Sequence, residues 1–155
     1  TVVVAARRAY GEWKQHHCYV CQANRSFRSG VNHFGFYTDG EIKPEFPEIL
    51  HLAGDVEFTL EEAARRKTLG GFDPDVGLLI ESLLAAGLRE EGATHKVFLL
   101  SDHQSTKTRS RPTPIKNDTV TQTGAPWAWT LGQRYGRLSN LLDNDVQTTS
   151  AIATD

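Results

Sequence analysis

Apolar residues recur along the chain at two spacings, which separate predicted helices from predicted strands. The clearest helical stripe follows Asp73 and Pro74 and consists of Val76, Leu79, Ile80, Leu83 and Leu84. Asp73 is the expected N-cap and Pro74 the expected first helical residue, and Gly87 marks the expected end. Because the stripe is continuous, it predicts packing against a core rather than a binding groove.

Two further helices are expected. Thr59 and Glu62 form a T-x-x-E capping box, in which each side chain should accept a hydrogen bond from the other residue's backbone N–H. Acidic residues then occupy the first turn and basic residues the last, as the helix dipole favours, and Gly70 and Gly71 end the helix. A short helix is also predicted over residues 137–143, followed by a tail with little structure.

β-branched and aromatic residues predict strands at residues 2–4, 18–22, 55–58 and 96–100. The residues after the first strand could either extend it or start a helical turn. The densest aromatic cluster lies in residues 31–52, where Asp39 and Gly40 predict a hairpin turn and residues 42–52 a single return strand. We therefore expect one α+β domain over residues 1–155: a curved, mostly antiparallel sheet of five to six strands, or a half-open barrel, with two packed helices.

A long polar segment spans residues 101–126 and is basic, so it predicts a mobile arm able to clamp a polyanion. The segment is followed by Trp127, Ala128 and Trp129, and then by Arg134. In a strand the two tryptophans would share one face. Such a pair suits either a core position or a two-ring platform for a planar ligand.

The amino-acid composition limits the classes of protein to which the chain can belong. The chain has 155 residues, 39% of them hydrophobic and 23% charged, which is typical of one soluble globular domain. There is no apolar run long enough to span a membrane, and the N-terminal residues do not form a signal peptide. The sequence contains no Met, so we expect it to come from a longer, multidomain protein. Two cysteines and no secretion signal favour a cytoplasmic location.

The net charge of −2 is unevenly distributed. Residues 1–38 contain five basic residues and one acidic residue, whereas residues 39–62 contain eight acidic residues and one lysine. A bipolar domain can bind phosphate on its basic face, because the local field governs docking. Solvated faces of an otherwise neutral protein would give the same pattern.

An arginine-flanked aromatic follows the second predicted strand, at Arg25, Phe27 and Arg28. A ring there can cover a base while guanidinium groups contact phosphate oxygens. We expect nucleic acid, DNA rather than RNA, as the partner. The full set of candidate contacts is Asn24, Arg25, Phe27, Arg28, His33, Phe36, Tyr37, Lys107, Arg109, Arg111, Trp127, Trp129 and Arg134.

Other chemistry is less well supported. Glu41 and Lys43 form an E-x-K pattern found in metal-dependent nucleases, but a partner carboxylate on a preceding strand is missing. Cys18 and Cys21 form one C-x-x-C, which could join nearby histidines in a zinc site or act as a redox dithiol. Burial as small apolar residues is favoured, since the two should point to opposite faces of a strand. We expect no catalytic residues, metal or cofactor.

Several segments resemble the PUA-like superfamily, and within it the EVE and ASCH type modules. They are HFGFYTDGEI, ILHLAGDVEF, KVFLL, the step Pro114-Ile115-x-Asn117, and R-Y-x-x-L-x-x-L from Arg134. The resemblance implies a pseudobarrel whose mouth holds a base, sometimes a flipped and modified one, between aromatic side chains. Phe36 and Tyr37 would lie on a barrel strand, Trp127 or Trp129 would form a wall, and Asn24, Arg25 and Arg28 would lie on a loop at the mouth. The helical insertion at 59–87 and the acidic 39–62 stretch depart from this pattern.

Three functions follow from these observations. The first is a non-catalytic module that recognises nucleic acid, plausibly a modified or flipped base, in a modification-dependent restriction, defence or nucleic-acid-processing protein. Its partners would include other domains of the parent chain and a second copy of itself. The second is a metal-dependent nuclease domain around Glu41 and Lys43. The third is a protein-interaction or oligomerisation domain that uses the tryptophan pair and the acidic face.

Overall fold

The computed structural model describes residues 1–153. The chain has the expected α+β composition and divides into two compact units. Unit 1 consists of Thr1–Gly11, Arg28–Ile49 and the segment Ser101–Asp155, of which residues up to 153 are described. Unit 2 consists of Glu12–Phe27 and Leu50–Leu100. Each unit has its own sheet and its own hydrophobic core.

Unit 1 is built on a five-stranded sheet. Its strands, in spatial order, are β10 (Gln133–Tyr135), β1 (Val2–Ala5), β3 (Phe34–Thr38), β4 (Glu41–Ile42) and β9 (Ile115–Lys116). Only the β1 and β3 pair within this described sheet is parallel, and the other neighbours are antiparallel. The mostly antiparallel character predicted from the sequence is therefore confirmed.

The predicted hairpin joins β3 to β4. Asp39 and Gly40 form its turn with φ of 57° and 75°. Positive φ at both central residues is what a type I′ turn requires, and Gly adopts it without a steric penalty. Thr38 pairs with Glu41 across the turn, which confirms the predicted position of the hairpin.

The single return strand predicted over 42–52 is wrong. The segment contains three separate strands: β4, then β5 (Glu45–Phe46), then β6 (Ile49–Glu57). Pro44 and Pro47 lie at the two interruptions, where the missing N–H prevents continuous pairing. β5 pairs with β8 (Arg109–Ser110) in a separate two-stranded sheet, and β6 continues through the strand predicted at 55–58.

One hydrophobic cluster of unit 1 packs against the five-stranded sheet. Its buried side chains are Val3, Ile42, Phe46, Ile115, Trp129, Leu141 and Ile152, and Val2, Val4, Phe34 and Phe36 of the same sheet are also fully buried. A Cβ on Gly35 would lie 3.1 Å from the Phe46 ring, so the missing side chain at Gly35 leaves room for that ring. Ile152 is 7% exposed and follows a 3-10 helix at Thr149–Ala151, so the described part of the tail is ordered, contrary to expectation. The predicted short helix is confirmed as α4 (Leu138–Leu142).

Unit 2 contains a three-stranded sheet in the order β2 (Cys18–Gln22), β7 (Thr94–Leu100) and β6. Two helices belong wholly to this unit, α2 (Leu60–Lys67) and α3 (Asp73–Ala85). The predicted stripe of α3 is confirmed as core, since Val76, Ile80 and Leu83 are fully buried. The residues after β1 form a helix, α1 (Ala9–His16), rather than an extension of the strand.

The helix starts differ from expectation in two details. Thr59 does cap α2, because its Oγ1 accepts from the Glu62 N–H at 3.1 Å. The Glu62 carboxylate does not return the bond but accepts from Arg65 and Arg66, which are stronger charge-assisted donors and lower the pKa of Glu62 to about 2. Asp73 is the first residue of α3 rather than its N-cap, and its carboxylate accepts from Arg66 at 2.6 Å.

No sheet closes into a barrel within residues 1–153, so the predicted half-open barrel is replaced by sheets of five, three and two strands. The two predicted packed helices correspond to α2 and α3, and α1 and α4 accompany them in the described chain. Among the described residues, every helix is too short or too polar to cross a membrane.

Gly77 provides a test of the packing of α2 against α3. A Cβ at Gly77 would lie 2.6 Å from the Ala63 carbonyl oxygen and 2.9 Å from Lys67 Cγ. We expect Gly77→Ala to lower the free energy of unfolding by about 1–3 kcal/mol, because backbone must move to relieve the overlap. The matched control is Gly11→Ala in α1, where a Cβ meets nothing within 4 Å. That variant should be neutral or more stable by about 0.5–1 kcal/mol. Urea denaturation followed by circular dichroism measures both, and equal stability of Gly77→Ala and wild type would contradict this packing.

Candidate nucleic-acid interface

The thirteen candidate residues are divided between the two units. Asn24, Arg25 and Phe27 belong to unit 2, whereas the other ten belong to unit 1. Three of the ten are buried: Phe36 is 0% exposed, Arg111 5% and Trp129 5%. Their side chains therefore cannot face a macromolecular ligand as the sequence analysis expects.

The residues in unit 2 form part of an aromatic cluster. The Phe27 ring lies edge-on to Phe98 at 4.8 Å and to Tyr19 at 6.4 Å. Arg25 Nη1 donates to the Tyr19 hydroxyl at 2.9 Å, and Lys96 donates to the Arg25 carbonyl oxygen. These contacts hold the loop onto the sheet of unit 2. Of the three predicted residues, only Asn24 is fully exposed.

Four of the unit 1 candidates contact other parts of that unit. The Arg28 guanidinium lies 4.4 Å from the centre of the Tyr135 ring. His33 is half-buried, and burial lowers its pKa below the ordinary value. Lys107 lies 3.7 Å from a carboxylate oxygen of Glu48, and Arg109 is exposed on β8. His33 and Lys107 both lie near Glu48, and Arg109 is close enough to His33 to help lower its pKa, whereas Arg28 contacts Tyr135.

Arg111 ties the segment 101–126 to unit 1. Its backbone N–H donates to the Pro44 carbonyl oxygen at 3.0 Å, and its Nη1 donates to the Leu141 carbonyl oxygen at 3.1 Å. Burial lowers the pKa of its guanidinium. The segment also contributes β8 and β9, so it is paired to its surroundings in place of the mobile arm that the sequence predicts.

The two tryptophans have different environments. Residues 127–129 lie in a loop, so the shared face expected of a strand is not formed. The Trp129 ring is buried between Tyr37, at 6.1 Å, and the Arg134 guanidinium, at 4.9 Å. Trp127 is 46% exposed. Only Trp127 therefore offers a ring to a ligand, and the predicted two-ring platform is wrong.

The Asn117 side chain fixes the loop that carries Trp127. Its Nδ2 donates to the Tyr37 hydroxyl at 2.9 Å and to the Trp127 carbonyl oxygen at 2.6 Å. Its Oδ1 accepts from the Thr119 N–H at 3.0 Å and lies 3.0 Å from the Thr149 hydroxyl, whose single hydrogen is shared with Asp118 Oδ1. Both N–H donors and one acceptor position of the amide are thus occupied, and the second acceptor position faces this shared hydroxyl. We call residues 117–132, which this amide anchors, the Trp127 loop.

The neighbouring Asp118 joins the same loop to the C-terminal 3-10 helix. Its Oδ1 accepts from the Ser150 N–H and the Thr149 hydroxyl, both at 2.9 Å, and its Oδ2 accepts from the Ser150 hydroxyl. Hydrogen bonds from Ser150 and then from Thr149 hold the pKa of Asp118 below its ordinary value. The loop is therefore anchored to the tail of unit 1 as well as to β3.

Within the Trp127 loop the backbone forms a small hairpin. The Trp127 N–H donates to the Thr119 carbonyl oxygen at 3.0 Å, and the Thr121 N–H donates to the Ala125 carbonyl oxygen at 2.8 Å. Gly124 at the tip has a φ of 80°. Three large apolar side chains of this loop are exposed: Val120 at 60%, Trp127 at 46% and Leu131 at 78%. An apolar patch held on an ordered hairpin is typical of a contact surface.

The Trp127 loop lies at the end of the sheet where β1 and β3 terminate. β1 and β3 are parallel and end together, while the antiparallel β10 begins at that same end, directly after the loop. The Asn117 N–H also donates to the Gly40 carbonyl oxygen in the hairpin turn at 2.8 Å. Arg7 and Arg8 follow β1 at this end and are both exposed. An exposed ring and two arginines therefore share one end of the sheet.

Glu41 and Lys43, the residues of the predicted nuclease site, form an ion pair with each other. Lys43 Nζ lies 2.8 Å from Glu41 and 3.1 Å from Asp39. Burial alone would lower the pKa of Lys43, but hydrogen bonds to Glu41 and Asp39 raise it. Among the described residues, no group of three or more His, Cys, Asp or Glu side chains could hold a metal ion.

The cysteines of the C-x-x-C pattern are both buried. Cys18 is 0% exposed and Cys21 is 8% exposed, and burial raises the pKa of both thiols. A raised pKa disfavours the thiolate that metal binding and redox exchange require.

Sequence reasoning missed the residue that organises the site. The sequence indicates Asn117 only as part of a Pro-Ile-x-Asn step, and Arg7 and Arg8 only as part of an N-terminal basic excess. A local signal for the loop hairpin does exist, since Gly124 lies among threonines between Val120 and Trp127. The partners of Asn117 at Tyr37 and Thr149 are distant in sequence, so no local pattern indicates them.

Comparisons with known proteins found no relative of this chain. The chain matches no protein-family model, no curated protein sequence and no solved structure.

Asn117 can be tested directly. We expect Asn117→Ala to lower the free energy of unfolding by about 2–4 kcal/mol, because it leaves the Tyr37 hydroxyl, the Trp127 carbonyl oxygen and the Thr119 N–H without these hydrogen bonds. Asn117→Asp keeps the shape and the acceptor oxygen but removes the two N–H donors, and it should release the loop in the same way. Hydrogen exchange of the Thr121 and Trp127 amides should accelerate in both variants, and exposed Asn144→Ala is the control. Unchanged exchange at these two amides would show that Asn117 does not anchor the loop.

Proposed function

We propose that this chain is a non-catalytic nucleic-acid recognition module whose Trp127 loop stacks on an unpaired base. The observation that supports the proposal is the 46% exposure of Trp127 on a loop fixed by Asn117. A base stacked on an aromatic ring gains about 1–3 kcal/mol, largely independent of sequence. A ring carried on a fixed backbone segment loses less conformational entropy on ligand binding than a ring on an unanchored loop.

The distribution of charge favours unit 1 as the binding unit. Unit 1 contains ten basic and nine acidic residues, whereas unit 2 contains seven basic and ten acidic residues. Of the unit 1 acids, Asp118 is held by Thr149 and Ser150, and Asp39 is paired with Lys43. Arg7, Arg8 and Arg134 are exposed on the same unit and could contact phosphates.

The finer parts of the proposal rest on the family resemblance. The HFGFYTDGEI segment forms the β3–β4 hairpin of unit 1, and the R-Y-x-x-L-x-x-L segment contributes β10 and α4. We infer from these segments a PUA-like module that reads a modified or flipped base in DNA. Its setting would be a cytoplasmic restriction, defence or nucleic-acid-processing protein with further domains or a second copy as partners. Tyr37 and Trp127 are the aromatic residues that best fit such a base site, since Phe36 is buried.

A protein-contact role for the same loop is the second candidate function. Val120, Trp127 and Leu131 are all exposed within it, and exposed apolar patches of this kind also mark protein interfaces.

The test is binding of labelled single-stranded and duplex oligonucleotides, modified and unmodified, by fluorescence anisotropy at two salt concentrations. Trp127→Ala should weaken binding about 5- to 150-fold, which corresponds to the loss of about 1–3 kcal/mol of stacking. Replacing Arg7 and Arg8 by Ala should reduce the salt dependence of binding by about one to two counterions. Leu60→Ala, at a 58% exposed apolar residue of unit 2, is the matched control.

Each outcome separates the candidate functions. Salt-dependent binding that Trp127→Ala weakens and Leu60→Ala does not would support the recognition module. Binding unaffected by Trp127→Ala would place the site elsewhere, and no binding to any oligonucleotide would contradict the proposal and favour the protein-contact role. Cleavage of the oligonucleotides that a chelator abolishes would favour the nuclease.

A further inference from the structure

Unit 2 contains an open cleft of about 350 Å³, which is within the range of small-molecule sites. The cleft lies among the end of α1, helix α3 and the strands β6 and β7 of this unit. Its most buried lining residues are Leu79, Leu99 and Leu100, which are 6%, 8% and 2% exposed. These three leucines form an apolar floor.

Helix α3 presents a second stripe to this cleft, beside the stripe that forms the core. The cleft stripe consists of Asp75, Leu78, Leu79 and Ser82, spaced three and four residues apart. Leu79 belongs to both stripes, but Leu78 is 53% exposed. Leu78 thus adds apolar surface to the cleft without contributing to the buried core.

The rim of the cleft is polar, and its formal charge is negative. Gln15 and His16 line it from the end of α1, His17 from the residue after that helix, and Asp75 and Ser82 from α3. With histidines neutral, Asp75 is the charged group among the described lining residues. Unit 2 as a whole has seven basic and ten acidic residues. This field favours a cationic ligand over an anionic one.

An aromatic surface completes the cleft. Phe72 is 41% exposed, and its ring stacks on His51 at 5.3 Å with an interplanar angle of 21°. The exposed face of a supported ring attracts both flat rings and ammonium groups. His17 is held at the rim with a φ of 54°, where its N–H donates to Trp13 and its carbonyl oxygen accepts from Leu100, both at 2.8 Å. A non-glycine residue fixed in this strained region is frequently found at ligand sites.

We propose that this cleft binds a small organic amine with a flat apolar body. The apolar body occupies the floor over Leu79 and Leu99, and the ammonium group pairs with the Asp75 carboxylate at the rim. Phe72 covers the ligand from the side. The site is independent of the Trp127 loop, because all of its lining residues belong to unit 2.

Two probes that differ in charge test the proposal. Tryptamine and indole-3-propionate share an indole ring and a two-carbon linker, but the first ends in an ammonium group and the second in a carboxylate. Titration of the intact chain is followed by NMR of the Leu78, Leu79, Leu99 and Leu100 methyl groups. We expect tryptamine to give saturable shifts at these methyl groups with at least about tenfold higher affinity than indole-3-propionate.

Two variants distinguish the contribution of the Asp75 charge to binding from that of the Phe72 ring. Asp75→Asn should weaken tryptamine about two- to fivefold, as expected for an ion pair at an exposed carboxylate, and reduce the difference between the two probes. Phe72→Ala should weaken both probes. The matched control, Asp55→Asn, replaces an exposed acid of unit 2 that does not line the cleft and should change neither affinity.

Two outcomes would overturn the amine site. One is the absence of saturable shifts at these methyl groups with tryptamine up to about 10 mM, the range of weak small-ligand binding. The other is equal affinity for the two probes in wild type. Neither outcome bears on oligonucleotide binding by the Trp127 loop, so the two proposals succeed or fail separately.

Discussion

The placement of the Trp127 loop depends chiefly on one side-chain amide. Asn117 joins Tyr37 of β3, the backbone on both sides of the Trp127 loop and the hydroxyl of Thr149 in the C-terminal 3-10 helix. Loss of an amide with several partners costs more than loss of one isolated hydrogen bond, because each partner then lacks its bond. The amide acts together with Asp118 and with the buried Trp129 ring to hold an exposed hairpin that has little core of its own.

The same anchor explains why two tryptophans two residues apart behave differently. Trp129 enters the core of unit 1, where Tyr37 packs on its ring and Arg134 Nε donates to its carbonyl oxygen at 2.7 Å. Trp127 is held through its backbone, so its ring remains outside. Burial of one ring stabilises the loop, and the other ring is left available for a ligand. This division of roles is the basis for proposing recognition by stacking.

Local sequence signals predicted much of the local structure, and the larger failures involve distant partners. The Asp39-Gly40 turn, the Thr59 cap and the α3 stripe depend on neighbouring residues and were found in the structure. The predicted return strand is divided at Pro44 and Pro47, and β5 and β6 then pair with the distant strands β8 and β7. Arg111 was expected on the surface, but its partners Pro44 and Leu141 are far away in sequence. The role of Asn117 could not be predicted from the sequence for the same reason. The spacing of residues along the chain does not indicate which distant loops come into contact.

We propose that Trp127, alone among the three tryptophans, contacts nucleic acid. A ¹H–¹⁵N NMR titration of the indole N–H signals with a short single-stranded oligonucleotide tests this interface. The Trp127 signal should shift and saturate, while the signals of the buried Trp13 and Trp129 should stay in place. If all three signals remain fixed at oligonucleotide excess, or if Trp129 responds and Trp127 does not, the proposed interface is wrong.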